Sequence, residues 1–186
     1  MNTFTSILAD IINFVGSAYI SLVLLRFLCQ LVRADYYNPI SKTLVKLTNP
    51  LLVPFRKIIP GVGGIDWAAL LLAFILQVVL IFAVQLVMGA PFFSLKILPY
   101  ALLALIGLAL NFYFYGMIIL VIASFVAPNS NNPALSLLNQ LIDPLLRPLR
   151  KVLPSMGGLD FSPMILMFGI YIVRQYFLPM FASLFL

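Results

Sequence analysis

The sequence predicts an all-α membrane protein whose four transmembrane helices form two helical-hairpin repeats. Three observations support this prediction. Hydrophobic residues make up 63% of the 186 residues and charged residues only 9%, whereas about a quarter of a soluble domain is usually charged. Four apolar runs are long enough to cross a bilayer. One motif-bearing segment occurs twice.

The duplicated segment is the clearest feature of the sequence. Residues 132–160 read NPALSLLNQLIDPLLRPLRKVLPSMGGLD, and residues 38–66, which lie 94 positions earlier, read NPISKTLVKLTNPLLVPFRKIIPGVGGID. Prolines, an Arg-Lys pair, a Gly-Gly pair and an aspartate coincide without a gap. A repeat of this kind decides the architecture. We therefore divide the chain into residues 1–94 and 95–186.

Each repeat contributes two predicted spans, because about 20 apolar residues cross a hydrocarbon core of ~30 Å as a helix. The spans are predicted at residues 15–32, 67–88, 105–126 and 161–178. An apolar lead-in precedes the first and the third span, so that the run from 97 to 126 lies partly in the interface or is tilted. Each repeat has an even number of spans, which predicts that the repeats are parallel.

The positive charges predict the orientation of the chain. Eight Lys and Arg residues fall in the two long loops, against one in the short connector and none at the termini. Such residues are enriched in cytoplasmic loops. We expect a multi-pass protein of the cytoplasmic (inner) membrane, with both long loops inside and both termini on the outer side.

Both long loops are predicted to form amphipathic helices in the membrane plane, at residues 38–60 and 132–154. In the first loop, apolar residues recur at helical spacing, namely Ile40, Leu44, Leu47, Leu51 and Leu52. A basic amphipathic helix of this kind is typical of an interfacial element.

Prolines subdivide the predicted loop helices. Asn or Asp before Pro predicts an N-cap followed by the first helical position, so each loop is expected to contain two short helices. These pairs are Asn49-Pro50 and Asp143-Pro144. The next proline lies past the first turn and is expected to kink the second helix, at Pro54 and Pro148. The third is expected to end it, at Pro60 and Pro154.

A Gly-Gly turn and an aspartate close each loop, at Gly63, Gly64 and Asp66 and at Gly157, Gly158 and Asp160. An aspartate one residue before an apolar span accepts hydrogen bonds from the first free N–H groups. The main alternative is a salt bridge to the arginine of the Arg-Lys pair. A proton relay is disfavoured because both aspartates lie at the membrane edge.

The Arg-Lys pairs, Arg56-Lys57 and Arg150-Lys151, are the strongest candidates for binding. Two interpretations are open. The pairs contact anionic headgroups as part of the positive-inside pattern, or they form a specific site for an anionic lipid or an acidic partner segment. Their fixed distance from three prolines indicates a fixed geometry.

Arg26 is a further candidate because it lies inside the first span. An intramembrane arginine suggests a functional site that needs a partner, but no acidic residue of the chain is deep enough to pair with it. Snorkelling towards the cytoplasmic face is the alternative. The second repeat has Leu120 at this position.

The inventory of reactive residues argues against an enzyme. Histidine and glutamate are absent, and Cys29 is the single cysteine, so acid–base and metal chemistry have only five aspartates to use. We expect no catalytic residue, cofactor or metal. The net charge of +6 indicates anionic phospholipids rather than nucleic acid as the counter-charge.

An arginine in the first span, the Asn-Pro and the run D/N-P-L-L-x-P-x-R-K-x-x-P-x-x-G-G-x-D resemble the YggT family (YlmG in Gram-positive bacteria and plastids). The resemblance extends over nearly the whole chain, and DPLLRPLRKVLPSMGGLDFSP of the second repeat is the closer match. The departures are Asn49 for Asp, Trp67-Ala68 for Ser-Pro, and Leu120 where a family arginine can stand. If the motif forms a site, these departures predict a weaker first copy.

The resemblance implies a small membrane protein without known catalysis. Family members are linked to osmotic stress and potassium homeostasis, to cell division or nucleoid organisation, and in plastids to haem attachment in cytochrome b6f assembly. We expect a scaffold or accessory assembly factor that acts through its cytoplasmic loops on anionic lipid or a protein partner. The alternative is a channel or transporter subunit for potassium or osmotic balance, which requires a homo-oligomer.

Overall fold

A computed structural model describes residues 3–89, 94–127, 130–152 and 160–184. The helices are α1 Thr3–Leu31, α2 Pro39–Ile58, α3 Trp67–Val87, α4 Ile97–Val126, α5 Pro133–Val152, α6 Ser162–Ile172 and α7 Leu178–Ser183. A π-helical turn, Val173–Phe177, joins α6 to α7, so that Ser162–Ser183 forms one segment of membrane length. Within the described residues, four segments are long and apolar enough to cross a membrane, which confirms the predicted fold class.

The apolar lead-ins extend the first and third spans. α1 and α4 begin before the predicted starts at 15 and 105, because each lead-in continues the same helix. α4 has 30 residues, which corresponds to about 45 Å at 1.5 Å per residue. Its continuity favours a tilted helix over a separate interfacial segment. The fourth span also continues beyond the predicted end at 178.

α1 and α3 form the most tightly packed hairpin. A Cβ atom on Gly16 would lie 2.5 Å from Cδ1 of Leu80. On α3, the side chains of Ala68, Ala69 and Ala73 are fully buried. Lipid provides no hydrophobic drive for two helices to associate, so small residues that permit close approach are the usual means of packing them.

A second apolar cluster joins the repeats. Leu28 and Cys29 of α1 pack with Met117 of α4 and with buried side chains of α5 and α6. The second hairpin is more open than the first, since α4 packs less extensively on α6 and α7 than α1 packs on α3. The sequence repeat is therefore not matched by equal packing of the two hairpins.

Each loop helix is a single continuous helix, so the prediction of two short helices in each loop is wrong. Pro50 and Pro54 lie inside α2, and Pro144 and Pro148 lie inside α5. Asn49 and Asp143 are therefore interior helical residues and not N-caps. The N-cap of α2 is Asn38, whose side chain accepts a hydrogen bond of 2.9 Å from the backbone N–H of Ile40.

Side chains of α1 contact the backbone of α2 next to its prolines. A proline has no N–H to donate to the carbonyl four residues earlier. The hydroxyl of Tyr19 donates to the carbonyl of Leu47 at 3.4 Å, and Arg26 donates to the carbonyl of Val45 at 3.3 Å. These contacts attach α2 to α1 at the residues on either side of Lys46, whose carbonyl lacks a helical donor because the residue four positions later is a proline.

The amphipathic character of α2 is confirmed. Of its predicted apolar face, Leu44 and Leu52 are buried against the protein, whereas Leu47 and Leu51 are 47% and 42% exposed. The buried residues of α2 are Ser41, Leu44, Thr48 and Leu52. Two of these four are polar, and an apolar-periodicity argument passes over such residues.

α2 and α5 lie side by side at one end of the helix bundle, which we call the loop face. The side-chain amide of Asn38 donates to the carbonyl of Pro133 at 2.8 Å, and the N–H of Asp35 donates to Oε1 of Gln140 at 2.6 Å. Both repeats thus present their loop helices at the same end, as parallel repeats require.

The loop between α2 and α3 follows the prediction. Pro60 follows the end of α2 at Ile58, and Gly63 and Gly64 have φ of 67° and 80°. This left-handed region favours glycine. Their second-repeat counterparts, Pro154, Gly157 and Gly158, lie outside the described residues.

Candidate functional site

Asp66 combines the two roles that were considered for it. Its carboxylate accepts a hydrogen bond of 3.2 Å from the N–H of Ala69 and so caps α3. It also forms a salt bridge with Arg56, and Arg56 donates to Oε1 of Gln30 at 3.1 Å. Asp66 is only 3% exposed, and a charge so buried requires a partner.

The second repeat has an equivalent but more exposed arrangement. Arg150 donates to Asp160 at 2.8 Å and to Asp143 at 2.9 Å. The N–H of Ser162 donates to Asp160 at 2.9 Å. Partial burial opposes ionisation of this carboxyl, but the hydrogen bonds from Ser162 and Arg150 are stronger and hold the pKa of Asp160 below its ordinary value.

The two members of each Arg-Lys pair have different environments. Arg56 and Arg150 are bound to aspartates of their own repeat. Lys57 and Lys151 are exposed. Any contact of the pairs with headgroups or a partner is therefore expected chiefly from the lysines.

Arg26 is buried against the loop helix α2. The residue is 6% exposed. Its Nη1 donates to Oγ1 of Thr48 at 2.6 Å and to Oδ1 of Asn49 at 2.9 Å. The search for an acidic partner in the sequence missed these neutral acceptors. The available signal was that Arg26, Thr48 and Asn49 all differ from their second-repeat counterparts.

In each repeat, a different arginine donates to the residue that precedes the first interior proline of the loop helix. The counterpart of Asn49 is Asp143, which accepts from Nε of Arg147 at 2.6 Å on its own helix. Arg147 replaces Val53 of the first repeat, whereas Leu120 replaces Arg26. The donating arginine thus lies on the neighbouring span, α1, in the first repeat and on the loop helix itself, α5, in the second.

A cavity of about 530 Å³ lies between α1, α2 and the loop that leads to α3. Its charged lining consists of three arginines and one aspartate, namely Arg26, Arg33, Arg56 and Asp66. Gln30 and Ser41 add polar groups. The volume lies within the usual range of small-molecule pockets. We call it the first-repeat cavity.

Arg33 has an unusual backbone conformation at this cavity. It is the one non-glycine residue with positive φ in the described part of the chain, at 56°. The N–H of Arg33 donates to Gln30 and the N–H of Ala34 to Cys29, which is the Schellman arrangement that usually has glycine at this position. Arg33 also lines a second cavity of about 360 Å³, beside Arg147 and Arg150.

The second repeat has a smaller and less cationic counterpart of this cavity. Its volume is about 340 Å³, and its lining includes Leu120, Ser124, Arg150 and Asp160. The first copy of the motif thus adjoins the larger of these two cavities. The expectation that the first copy is the weaker site stays a prediction.

Four membrane-length segments and two loop helices at one end define a polytopic helical membrane protein made of two tandem parallel units. The sequence model of the CCB3/YggT family matches residues 5–87 and 99–181, which are offset by the same 94 positions. The chain therefore belongs to the CCB3/YggT family, as its motif indicated. The boundary between residues 94 and 95 stays a prediction.

Relatives in other bacteria match most of the length of the chain. An uncharacterised protein of Pseudomonas aeruginosa is 48% identical over 82% of this chain and 79% of its own. The uncharacterised protein YggT of Escherichia coli K12 is 40% identical over 94% of this chain and 89% of its own. An uncharacterised protein of Haemophilus influenzae is 36% identical over 87% and 86%. No solved structure matches the chain.

Proposed function

We propose that the protein is a non-enzymatic scaffold or accessory assembly factor of the cytoplasmic membrane. In this proposal the loop face is cytoplasmic, as the distribution of Lys and Arg predicts. The paired helices α2 and α5 hold a partner protein there, against anionic phospholipid. The reactive-residue inventory of the sequence, without histidine or glutamate, supports the non-enzymatic part.

The observation that supports this proposal most directly is the joining of α2 and α5. Hydrogen bonds from Asn38 and Asp35 connect the first repeat to α5, so that the loop helices form one surface rather than two separate arms. Exposed basic side chains line these helices, namely Lys42, Lys46, Lys57, Arg147 and Lys151. A cationic surface at the cytoplasmic leaflet attracts anionic headgroups and acidic segments of other proteins.

In-cell photo-crosslinking tests the proposal. A photoreactive amino acid at Lys46 or Lys57 is expected to give discrete protein adducts. The same residue at Phe168, which is 63% exposed on the membrane-spanning α6, serves as the control and is expected to give none of them. If neither Lys46 nor Lys57 gave protein adducts, the result would contradict the proposal.

Charge reversal separates the surface from the fold. Lys42, Lys46, Lys57 and Lys151 are changed to Glu, while Arg56 and Arg150 stay because they bind Asp66 and Asp160. The adducts are expected to disappear while the protein remains in the membrane. Unchanged adducts would show that the basic surface is not what binds.

A channel or transporter subunit is the second candidate, and one observation favours it. The side-chain oxygen of Asn111 in α4 is buried without a hydrogen-bond partner in the described part of the chain. A polar group inside a span is a common mark of an ion or water path. Potassium flux through purified protein in liposomes, abolished by Asn111→Leu, would favour this candidate over the scaffold.

A further inference from the structure

The first-repeat cavity contains more positive than negative charge. Arg56 is neutralised by its salt bridge with Asp66. Arg26 and Arg33 form no salt bridge with any carboxylate of the described residues. The acceptors to which Arg26 donates on α2 are neutral. The lining therefore presents two uncompensated guanidinium groups, one of them buried. A buried charge without a counter-charge is costly unless an anion is bound.

Ser41 provides an independent sign of a ligand. Its residue is 8% exposed, and its hydroxyl is buried with no hydrogen-bond partner in the part of the chain that the structure describes. The same residue lines the first-repeat cavity. Buried hydroxyls are nearly always hydrogen-bonded, so an acceptor atom in the cavity would satisfy this one.

The backbone of Arg33 fits the same interpretation. A non-glycine residue in the left-handed region costs free energy, and such residues cluster at functional sites. Glycine would close the Schellman arrangement without this cost. Glycine has no side chain, whereas the side chain of Arg33 lines the cavity.

We propose that the first-repeat cavity binds a phosphate group. Arg26 and Arg33 supply the positive charge, Ser41 donates a hydrogen bond, and Asp66 holds Arg56 in place at the cavity wall. Guanidinium groups suit phosphate because their N–H groups pair with its oxygens two at a time. The site goes beyond the scaffold proposal, since it lies apart from the exposed lysines and needs no partner protein.

Two sources of phosphate fit this chemistry, namely the headgroup of a phospholipid and a soluble phosphate. The cavity of about 530 Å³ has room for a phosphate and part of the molecule that bears it. The second repeat has apolar residues in place of these groups, namely Leu120 for Arg26, Ala127 for Arg33 and Leu135 for Ser41. One site per chain is therefore expected.

The test uses the full-length protein with Arg33→Gln and Ser41→Ala. Lys96→Gln is the matched control, because it removes one positive charge from an exposed position that lies outside the loop face and does not line the cavity. Thermal unfolding of each variant shows that it is folded. Native mass spectrometry from nanodiscs of phosphatidylglycerol or phosphatidylcholine measures retained lipid, and calorimetry of delipidated protein measures inorganic phosphate.

We expect one equivalent of ligand on the wild type and a loss of affinity of about tenfold or more in Arg33→Gln, since bonds to charged groups are the stronger ones. Ser41→Ala is expected to lose affinity several-fold and Lys96→Gln to match the wild type. Retention of phosphatidylglycerol without binding of inorganic phosphate would identify the headgroup as the source, and binding of inorganic phosphate would identify the soluble form. Binding of neither, or an equal loss in Lys96→Gln, would overturn the proposal. Neither result bears on the protein adducts that test the scaffold.

Discussion

Arg26 of α1 donates a hydrogen bond of 2.9 Å to the side-chain oxygen of Asn49 on α2. The bond connects a transmembrane helix to a loop helix through a guanidinium group that is almost fully buried. Because the acceptor is neutral, the positive charge of Arg26 remains available to the first-repeat cavity. The Arg26–Asn49 pair thus attaches α2 to α1 and leaves a positive charge at the candidate phosphate site.

Arg26→Leu copies the second repeat at one position and is expected to destabilise the protein. The change removes the donor to the half-buried Asn49 and to the fully buried Thr48, and a buried polar group that loses its partner costs about 1–3 kcal/mol. Thermal unfolding in detergent measures the loss, and proteolysis within α2 shows whether this helix detaches first. An unfolding temperature equal to that of the wild type would show that the contact does not attach α2.

The second repeat supplies the control for that change. Adding Thr48→Ile, Asn49→Asp and Val53→Arg to Arg26→Leu reproduces the arrangement in which Asp143 binds Arg147 on its own helix. We expect the fourfold variant to regain most of the lost stability. Further destabilisation would mean that the repeats are not interchangeable at this position.

Asn49→Asp is expected to raise stability and weaken phosphate binding together. The substitution gives Arg26 a carboxylate at hydrogen-bond distance, so that a bond between an ionised donor and a neutral acceptor becomes an ion pair that compensates the buried charge. It also removes one net positive charge from the cavity. Unfolding temperature and phosphate affinity are measured on the same preparation, and a parallel rise of both would contradict the proposed role of the charge.

The two aspartates that precede α3 and α6 form a matched pair. Asp66→Asn keeps a side chain that can cap α3 but leaves Arg56, whose side chain is 38% exposed, without its counter-charge. The cost is therefore expected to lie below that of breaking a fully buried pair, about 3–5 kcal/mol. Asp160→Asn breaks a pair in which the aspartate is 42% exposed, and exposed pairs contribute about 0–1 kcal/mol. We expect a much larger fall in unfolding temperature for Asp66→Asn, and equal falls would refute the assignment of burial as the cause.

The lowered pKa of Asp160 predicts a dependence of stability on pH. Its pKa in the folded protein lies below that of the unfolded chain, because hydrogen bonds from Ser162 and Arg150 favour the carboxylate despite partial burial. The stabilisation is therefore fully present above the unfolded value of about 3.9 and is lost as the pH falls through the folded value. Comparing the wild type with Asp160→Asn from pH 7 downwards measures this, and a difference that grows towards acid pH would contradict it.

The sequence alone predicted the spans, the repeat and the loop helices, because each depends on composition or periodicity along the chain. It left the starts of α1 and α4 open, since an apolar lead-in does not show whether a helix continues through it. It also assigned Asn49 and Asp143 to helix caps. The local Asn-Pro and Asp-Pro patterns fit a cap, whereas the decisive contacts come from Arg26, 23 residues earlier, and from Arg150.

Arg33→Gly separates the backbone of Arg33 from its side chain. Glycine adopts a φ of 56° without the penalty that Arg33 pays, which is about 1–2 kcal/mol for a non-glycine residue. The gain is partly offset because glycine makes the unfolded chain more flexible. We therefore expect an unfolding temperature equal to or above that of the wild type, together with a loss of phosphate binding as large as in Arg33→Gln. A variant that is less stable and still binds phosphate would show that Arg33 supports the fold and not the ligand.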